Sequence, residues 1–486
     1  MKGIVQGRKD LPRVAVAGAS GFIGQALGPV LSRDFDLIAL SRAERRPTPG
    51  YSICRQVDLF SLSAATKALE GADLAVYLVH SMMPSARLVQ GDFGDLDLLC
   101  ADNFGRAAGA NGIRRILYVG GLVPEGTELS EHLRSRLEVE SALQSGGVPV
   151  TTLRAGMVVG SRGSSYQLLA RLVRRLPLMA CPEWTRTRMQ PVALGEVVAS
   201  IAELIHQGGE QTLCYDLGCG ETLSYMDMME ATATSMQLRR RFIPVPFLSP
   251  GLSRLWVSLT TGAPKELVAP LIKSLRHEML VRPHAHYRPA LEAQESVEEM
   301  LASAREDEGP SRDEPRAFVP PSIHPAAESK VYSVQRLQPP EGADATWIAD
   351  RYSQWLSGFM RGLIQIDSDT TTGEVHFVVR GTALKLICLQ RLAERSSPDR
   401  QVFRVTGGLL ARPSERGRLE FRQVLTGGEA LAALQDFVPR LPWWLYRLTQ
   451  GPFHAWVMER FRREVRGATV KNQPEESPCA ALEEEA

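Results

Sequence analysis

The sequence predicts an α/β protein: a doubly wound parallel sheet with a small lobe beyond it, followed by a second domain of α+β type. Three observations carry this. Short β-branched runs alternate with longer helical stretches from about residue 12 to 220, the pattern of βαβ units. A G-x-x-G-x-x-G turn at Gly18, Gly21 and Gly24 follows the first run and opens the first helical stretch. Beyond residue 330 the chain changes to strand-like runs bracketed by two helical segments, as when helices segregate from an antiparallel sheet.

In order, the runs RVAVAG, FDLIALS, CRQVDL, LAVYLVHS, RRILYVGG and VPVTTLRAG give six parallel strands as a minimum. The stretches FIGQALGPVLSR, LSAATKALEG and DLLCADNFGRAAGANG lie between them as helices, several stopping at glycine as helices commonly do. After residue 220 a helix (TLSYMDMMEATATSM), a short strand (RRFIPVP) and a long helical patch (LSRLWVSLTTGAPKELVAPLIKSLRHEML) read as a substrate-covering lobe, so residues 1–290 form one domain. Residues 291–328 are charged and Pro-rich, a helix running out into a linker. Residues 329–470 hold SKVYSVQRLQ, GEVHFVVRG, LKLICLQRL, QVFRVTGGLLARP and GRLEFRQVL as strands, between DATWIADRYSQWLSGFMRGL and WWLYRLTQGPFHAWVMERFRREV as helices. Residues 471–486 are acidic and poor in large apolar side chains, the composition of a disordered tail.

Composition narrows the function. With 486 residues, 44% of them hydrophobic, 23% charged and a net charge of +1, the chain has no field to hold nucleic acid. Its start lacks an apolar leader, and no run reaches the ~18 apolar residues a spanning helix needs. A cytoplasmic protein is expected, with membrane contact at most peripheral. Seven cysteines without a C-x-x-C pair read as reduced thiols, and His277, His284 and His286 read as a polar loop, so no metal site is expected.

The glycine spacing has a physical use: a tight turn at Gly18, close backbone approach to a diphosphate at Gly21, and close helix packing at Gly24. Amides of Ala19, Ser20, Phe22 and Ile23 complete such a turn, with phosphate oxygens meeting the helix N-terminus. The second strand ends in Ser41 and Arg42, with Arg45 and Arg46 beyond, where an NAD site usually has an acid. These donors suit a 2′-phosphate, so NADP(H) is favoured over NAD(H); the alternative is a solvated basic turn.

The glycine pattern, Asp58 in QVDL, YLVHSM and YVGGL together resemble the short-chain dehydrogenase/reductase superfamily over residues 12 to about 288, in its atypical NmrA-like and epimerase-like branch. HLRSRLEVE, TTLRAGMVVGS and PEWTRTRMQPVALGEV extend the likeness. The resemblance implies a Rossmann-type fold, Asp58 at the adenine, Leu59, Val79, His80, Ser81, Val119 and Gly120 along the cofactor, and Ala155, Gly156 and Met157 at the carboxamide. Arg154 falls near that nicotinamide end.

The superfamily's Tyr, Lys and Ser set is absent, replaced by His132, Arg136 and the pair Gly120–Gly121. An imidazole titrating near ~6.5 exchanges protons at neutral pH. His132 could thus stand in for the phenol, with Arg136 holding the ribose but unable to relay a proton. The alternative is a polar pair one turn apart on an exposed helix face. Trp184, Arg186, Arg188 and Gln190 form an aromatic and basic cluster in the substrate lobe, suited to an anionic substrate or to structural ion pairs. Tyr118 reads as core by strand alternation.

The second domain resembles, in architecture, helix-grip folds of the START and polyketide-cyclase type, which implies an apolar cavity under the last helix. Trp443, Trp444, Tyr446, Phe453 and Trp456 are core, pocket lining or, with Arg440, Arg447 and Arg460, a membrane-facing strip. Three classes of function stay open. One is an oxidoreductase acting on a hydrophobic carbonyl, enal or quinone with His132 as proton donor. The others are an NADP(H) redox-sensing or assembly module, and a carrier of a lipid or other apolar ligand.

Overall fold

The computed structural model describes residues 11–42, 48–80, 88–126, 128–209, 211–245, 273–291, 294–308, 330–369 and 371–469. They form two compact units. The sequence reading ran the first domain unbroken from 1 to 290, whereas residues 87–91 group with the second unit.

The first unit opens with β1 (Arg13–Ala17), α1 (Phe22–Leu31), β2 (Asp36–Ser41), β3 (Ile53–Gln56), α2 (Leu62–Leu69) and β4 (Leu74–Tyr77). Residues Leu88–Gln90 form β5, described with the second unit. The first unit resumes with α3 (Phe93–Ala110), β6 (Arg115–Gly121), α4 (Glu131–Ala142), β7 (Val150–Ala155) and β8 (Met157–Val159). Next come α5 (Ser164–Arg175), β9 (Leu178–Pro182), β10 (Arg188–Met189), β11 (Pro191–Ala193), α6 (Leu194–Gln207) and β12 (Leu213–Leu217). The unit ends with β13 (Leu223–Ser224), α7 (Tyr225–Ser235), β14 (Arg241–Val245) and α8 (Val297–Glu308).

Seven of these strands form one sheet in the order β12-β7-β6-β4-β1-β2-β3, every pair parallel. This is a Rossmann-type doubly wound fold. Strand order reverses between β1 and β4, the topological switch point at which such sheets open a crevice beyond their C-terminal ends. Val14 and Val16 of β1, fully buried, meet Leu27 of α1 and Ile201 of α6 in one core cluster, as the period-2 alternation of a strand requires.

The sequence predicts at least six strands, and β12 is a seventh it does not name. Its sequence LCYDL carries an acid at its fourth position, which reads as loop. Asp216 is nevertheless 1% exposed, because both of its oxygens take hydrogen bonds from Arg282 at 2.7 Å. A buried carboxylate is tolerated when it is paired in this way.

The lobe has its own core, in which Tyr166, Leu169 and Val173 of α5 pack with Met228 and Met229 of α7 and Met300 and Leu301 of α8. Helix α7 begins with a capping box between Ser224 and Asp227, which satisfies two otherwise orphan amides. The stretch RRFIPVP forms β14, paired in parallel with β9. Most of the long helical patch, Arg45, Arg46, Ser81, most of the linker and the acidic tail lie outside the described residues.

The second unit contains β15 (Val331–Leu337), α9 (Ala345–Gly358), β16 (Ile364–Asp369), β17 (Glu374–Val379), β18 (Lys385–Arg391), β19 (Arg400–Gly407), β20 (Arg418–Val424) and β21 (Glu429–Phe437). Two helices close it, α10 (Trp443–Leu448) and α11 (Gln450–Gly467). Its sheet runs β16-β17-β18-β19-β20-β21-β15-β5, antiparallel except for the β15–β5 pair. Sequence reading found five of these strands and missed β5, β16 and β21. Helices α9 and α11 share one core with the sheet, centred on Tyr352, whose ring lies 4.9 Å from Phe461 and 5.4 Å from Phe421. Among the described residues, no helix is long and apolar enough to cross a membrane.

Candidate functional site

Because every strand of the first sheet is parallel, the residues singled out in the sequence gather at one edge, beyond the C-terminal ends. Gly18 leaves β1 at φ +90°, backbone that only glycine adopts readily. A Cβ on Gly24 would stand 2.5 Å from the carbonyl oxygen of Gly18 and 2.7 Å from Cα of Ala19, so α1 meets its own turn in direct backbone contact. Gly21 caps α1 without a side-chain hydrogen bond, and no acid lies in the first turn. That leaves a helix N-terminus with its partial positive charge toward the crevice. Ala19 is buried, Ser20 accepts from Gln25 at its carbonyl (2.8 Å), and the Phe22 ring packs beside Gly160.

Ser41 ends β2 and Arg42 follows it, exposed. Asp58 lies past β3 and accepts the amide of Phe60 at 3.2 Å, which makes it a turn former as well as a candidate adenine partner. Leu59 is buried, and its carbonyl takes a bond from Asn103 at 2.8 Å. Val79 and His80 follow β4, Val119 and Gly120 lie near the end of β6, Ala155 ends β7, Gly156 follows it and Met157 opens β8.

Helix α4 is positioned by Ser130, whose hydroxyl accepts the amide of Leu133 at 3.3 Å. It carries His132, Arg136 and Glu140 one turn apart on one face. This face is not the exposed polar surface allowed for in the sequence reading. Arg136 is 7% exposed and ion-paired with Asp97 of α3, which is 2% exposed. The same carboxylate meets Nδ1 of His80 at 3.0 Å, His80 Nε2 meets His132 Nε2 at 3.4 Å, and His132 Nδ1 meets Ser274 Oγ at 3.1 Å. Ser274 also bonds the helix cap Ser130 at 3.0 Å. Five side chains therefore form one polar chain: Ser274, His132, His80, Asp97 and Arg136.

The electrostatics of this chain correct one expectation. The sequence predicts an imidazole titrating near neutrality at His132, but burial, then His80 and Arg136, push it down to about 3. Burial and Arg136 also lower His80, against the opposing pull of Asp97. Both rings are neutral at pH 7. Burial opposes the charge on Arg136, but Tyr118 and Asp97 more than offset it and hold the guanidinium above its ordinary range. Tyr118 is core as expected, with its hydroxyl 3.4 Å from the Arg136 carbonyl and burial pushing its phenol up to about 12.

With Asp97 ionised, the proton positions follow. The carboxylate accepts Nδ1–H of His80, whose Nε2 then accepts Nε2–H of His132, whose Nδ1 accepts the hydroxyl proton of Ser274. The chain points away from Ser274, as a set of bases in series would.

His132 and Ser274 form part of the wall of an apolar cavity in this unit, with Leu122, Ala155, Met157 and Trp184. It holds about 1080 Å³ of empty space, part of it open to solvent. Of the four lobe residues singled out, only Trp184 lines it. The two arginines do not line it. Arg188 is exposed and paired with Glu278 at 2.7 Å, and Arg186 is exposed. Gln190 is a brace, donating to the Cys219 carbonyl at 2.9 Å and accepting the Val281 amide at 2.7 Å. Arg154 pairs with Glu140 at 3.0 Å. Sequence reasoning missed Asp97 and Ser274. Asp97 carried a signal, an acid inside an otherwise apolar run of Leu96, Leu98, Leu99 and Cys100; Ser274 carried none.

No family model matches the chain. The auxiliary protein GraX of Staphylococcus aureus (strain NCTC 8325 / PS 47) is 34% identical over 112 residues, 23% of this chain and 36% of that protein. The chain thus spans about a third of the length of the curated relative it matches. Triphenylmethane reductase of Citrobacter sp. is 17% identical with a TM-score of 0.49, covering 60% of this chain and 99% of its own. A nucleoside-diphosphate-sugar epimerase of Staphylococcus aureus is 14% identical with a TM-score of 0.48 and the same coverage. MoeE5, solved with UDP-glucuronic acid and NAD, is 17% identical with a TM-score of 0.46, over 60% of this chain and 98% of its own. Of these neighbours, MoeE5 was solved with NAD and the triphenylmethane reductase also with NADP(H).

Proposed function

We propose that the chain is an NADP(H)-binding protein of the reductase type that admits a hydrophobic carbonyl, enal or quinone to the apolar cavity of its first unit. One observation carries this reading. The segment joining β7 to β8 that the resemblance puts at the nicotinamide end, Ala155 to Met157, lines the same cavity as His132 and Ser274.

The glycine turn fits the group. Gly18, Gly21 and the first turn of α1 would hold the diphosphate, Ser41 and Arg42 the 2′-phosphate, and Asp58 the adenine. Bound there, the cofactor supplies a hydride. The chain's own part is to exclude water with Leu122, Leu169 and Met229 and to handle a proton at Ser274 and His132. Because the hydrogen bonds run toward Asp97, this pair in its neutral form takes up a proton. Giving one to a reduced product needs the imidazolium, which at a pKa of about 3 is roughly one molecule in ten thousand at pH 7. Reduction should therefore be slow near neutrality and quicken about tenfold per pH unit on acidification.

That scarcity favours a second reading, an NADP(H)-sensing module in which occupancy and not turnover is the output. The curated relative's description as an auxiliary protein is in keeping with it. Calorimetry with NADPH and NADH, followed by stopped-flow oxidation of bound NADPH against quinones, enals and ketones between pH 5.5 and 8, separates the two. Turnover that rises in acid and is lost in His132→Ala supports the reductase. Binding without turnover supports the sensor, and absence of binding removes both.

A further inference from the structure

One end of the second unit's sheet is built from four chain segments. Arg380 N–H donates to Leu363 O at 2.9 Å, Leu409 N–H to Lys385 O at 2.9 Å, and Arg440 N–H to Leu410 O at 3.2 Å. Residues 359–364, 379–387, 407–413 and 438–456 therefore share one rim. Their side chains are of two kinds. Leu363, Leu384, Leu409, Trp444, Leu448 and Phe453 are exposed, Trp444 at 66% and Leu448 at 73%. Arg380, Lys385, Arg412, Arg440 and Arg447 are exposed among them. The four segments contain no acid, and the β19–β20 turn continues into one exposed acid and one exposed base, Glu415 and Arg416. At the opposite end, the turns between strands hold Asp369, Glu374, Asp399 and Glu429.

Basic charge thus prevails on one rim of a chain whose net charge is only +1. Exposed large apolar groups at this density mark a contact surface. Basic residues interleaved with tryptophan and leucine are the composition of an element that lies in a membrane interface. An acidic protein would satisfy the charges but not the protruding Trp444 and Leu448, whereas headgroups over acyl chains satisfy both.

Directly beneath the rim, a second apolar cavity holds about 950 Å³ of empty space, part of it open to solvent, and is lined by Ile364, Leu386, Ile387, Leu410 and Phe453 from the same segments. We infer that this rim docks the protein on an anionic bilayer surface, with the cavity opening toward the acyl chains. This does not depend on the nucleotide reading.

The full chain should co-sediment with vesicles of phosphatidylcholine and phosphatidylglycerol in equal parts, more weakly at high salt, and far less with phosphatidylcholine alone. Removing Arg440 and Arg447 together (R440A/R447A) should weaken binding roughly 30-fold, about fivefold for each charge near such a surface. Trp444→Ser with Leu448→Ser should abolish the blue shift of tryptophan emission on binding. These positions are exposed, and circular dichroism checks that the variants fold. Equal binding to neutral vesicles, indifference to both variants, or no binding at all overturns the inference. So does a lipid-free dimer that L448S dissolves, which would make a second copy the occupant.

Discussion

Replacing Asp97 with Asn probes the centre of the polar chain in the first unit. The side chains of Asp97 and Arg136 are 3% and 8% exposed, so both charges are out of water. Removing one partner of such a pair leaves the other uncompensated and costs about 3–5 kcal/mol. Little else relieves Arg136, since its Nε has no hydrogen-bond partner. Asparagine keeps the shape and one acceptor, which places D97N at the lower end. The effect should be local. Native-state hydrogen exchange of α3 should lose protection by roughly 100- to 4000-fold, the same free energy at about 1.4 kcal/mol per decade. Peptides from α9 in the second unit serve as the internal reference. The double variant D97N/R136M, which removes both charges, should recover most of the loss, as neighbouring sites do when their coupling is real. A cost under ~1 kcal/mol, or an equal loss of protection in α9, would show that the pair is not the compensated buried charge described here.

Other outcomes follow from the same geometry. Gly24→Ala places a methyl against the backbone of Gly18 and Ala19; it should cost about 1–3 kcal/mol and weaken dinucleotide binding in calorimetry, and unaltered affinity would contradict the turn's role. Arg42→Ala should lower NADP affinity by roughly 10- to 150-fold, the worth of a charged hydrogen bond, with NAD affinity unaltered; equal losses would remove the 2′-phosphate assignment. His132 binds its proton less readily folded, at about 3, than unfolded, at ~6.5. Its contribution to stability is therefore whole above ~6.5 and is lost as pH falls, reaching about 2 kcal/mol at pH 5. Urea titrations of wild type and His132→Asn at pH 7 and pH 5 should show a smaller acid loss in the variant, and parallel curves would refute the buried neutral ring.

What the sequence made legible follows from the range of the forces involved. Gly18, Gly21 and Gly24 announce their turn because its constraint is steric and local, and the β-branched runs announce β1, β2, β4, β6 and β7 because their cores are apolar. Strand β12 was hidden because the partner of Asp216, Arg282, lies 66 residues away. Strand β21, EALAALQDF, is rich in alanine, which reads as helix by propensity until its pairing with β20 and β15 overrides it. Tertiary partners also explain the lobe: Arg188 looked available for a ligand because Glu278, its counter-ion, could not be seen from TRTRMQ.

Arg136, Asp97, His80, His132 and Ser274 make sense as a set and not singly. A buried arginine at 136 cannot shed its proton as a lysine can, so it needs a carboxylate, and Asp97 supplies one. That carboxylate then fixes the proton on His80, and His80 fixes the proton on His132. The outer nitrogen of His132 is left as an acceptor facing Ser274 at the cavity wall. The cavity wall therefore holds a Ser274 hydroxyl that donates to His132, in a chain whose protons run toward Asp97. The tautomers are open to measurement: nitrogen-15 spectra of histidine-labelled protein should show His80 protonated at Nδ1 and His132 at Nε2. Should His132 instead carry its proton on Nδ1, Ser274 would be the acceptor, and the chain would be poised to give a proton to the cavity and not to take one.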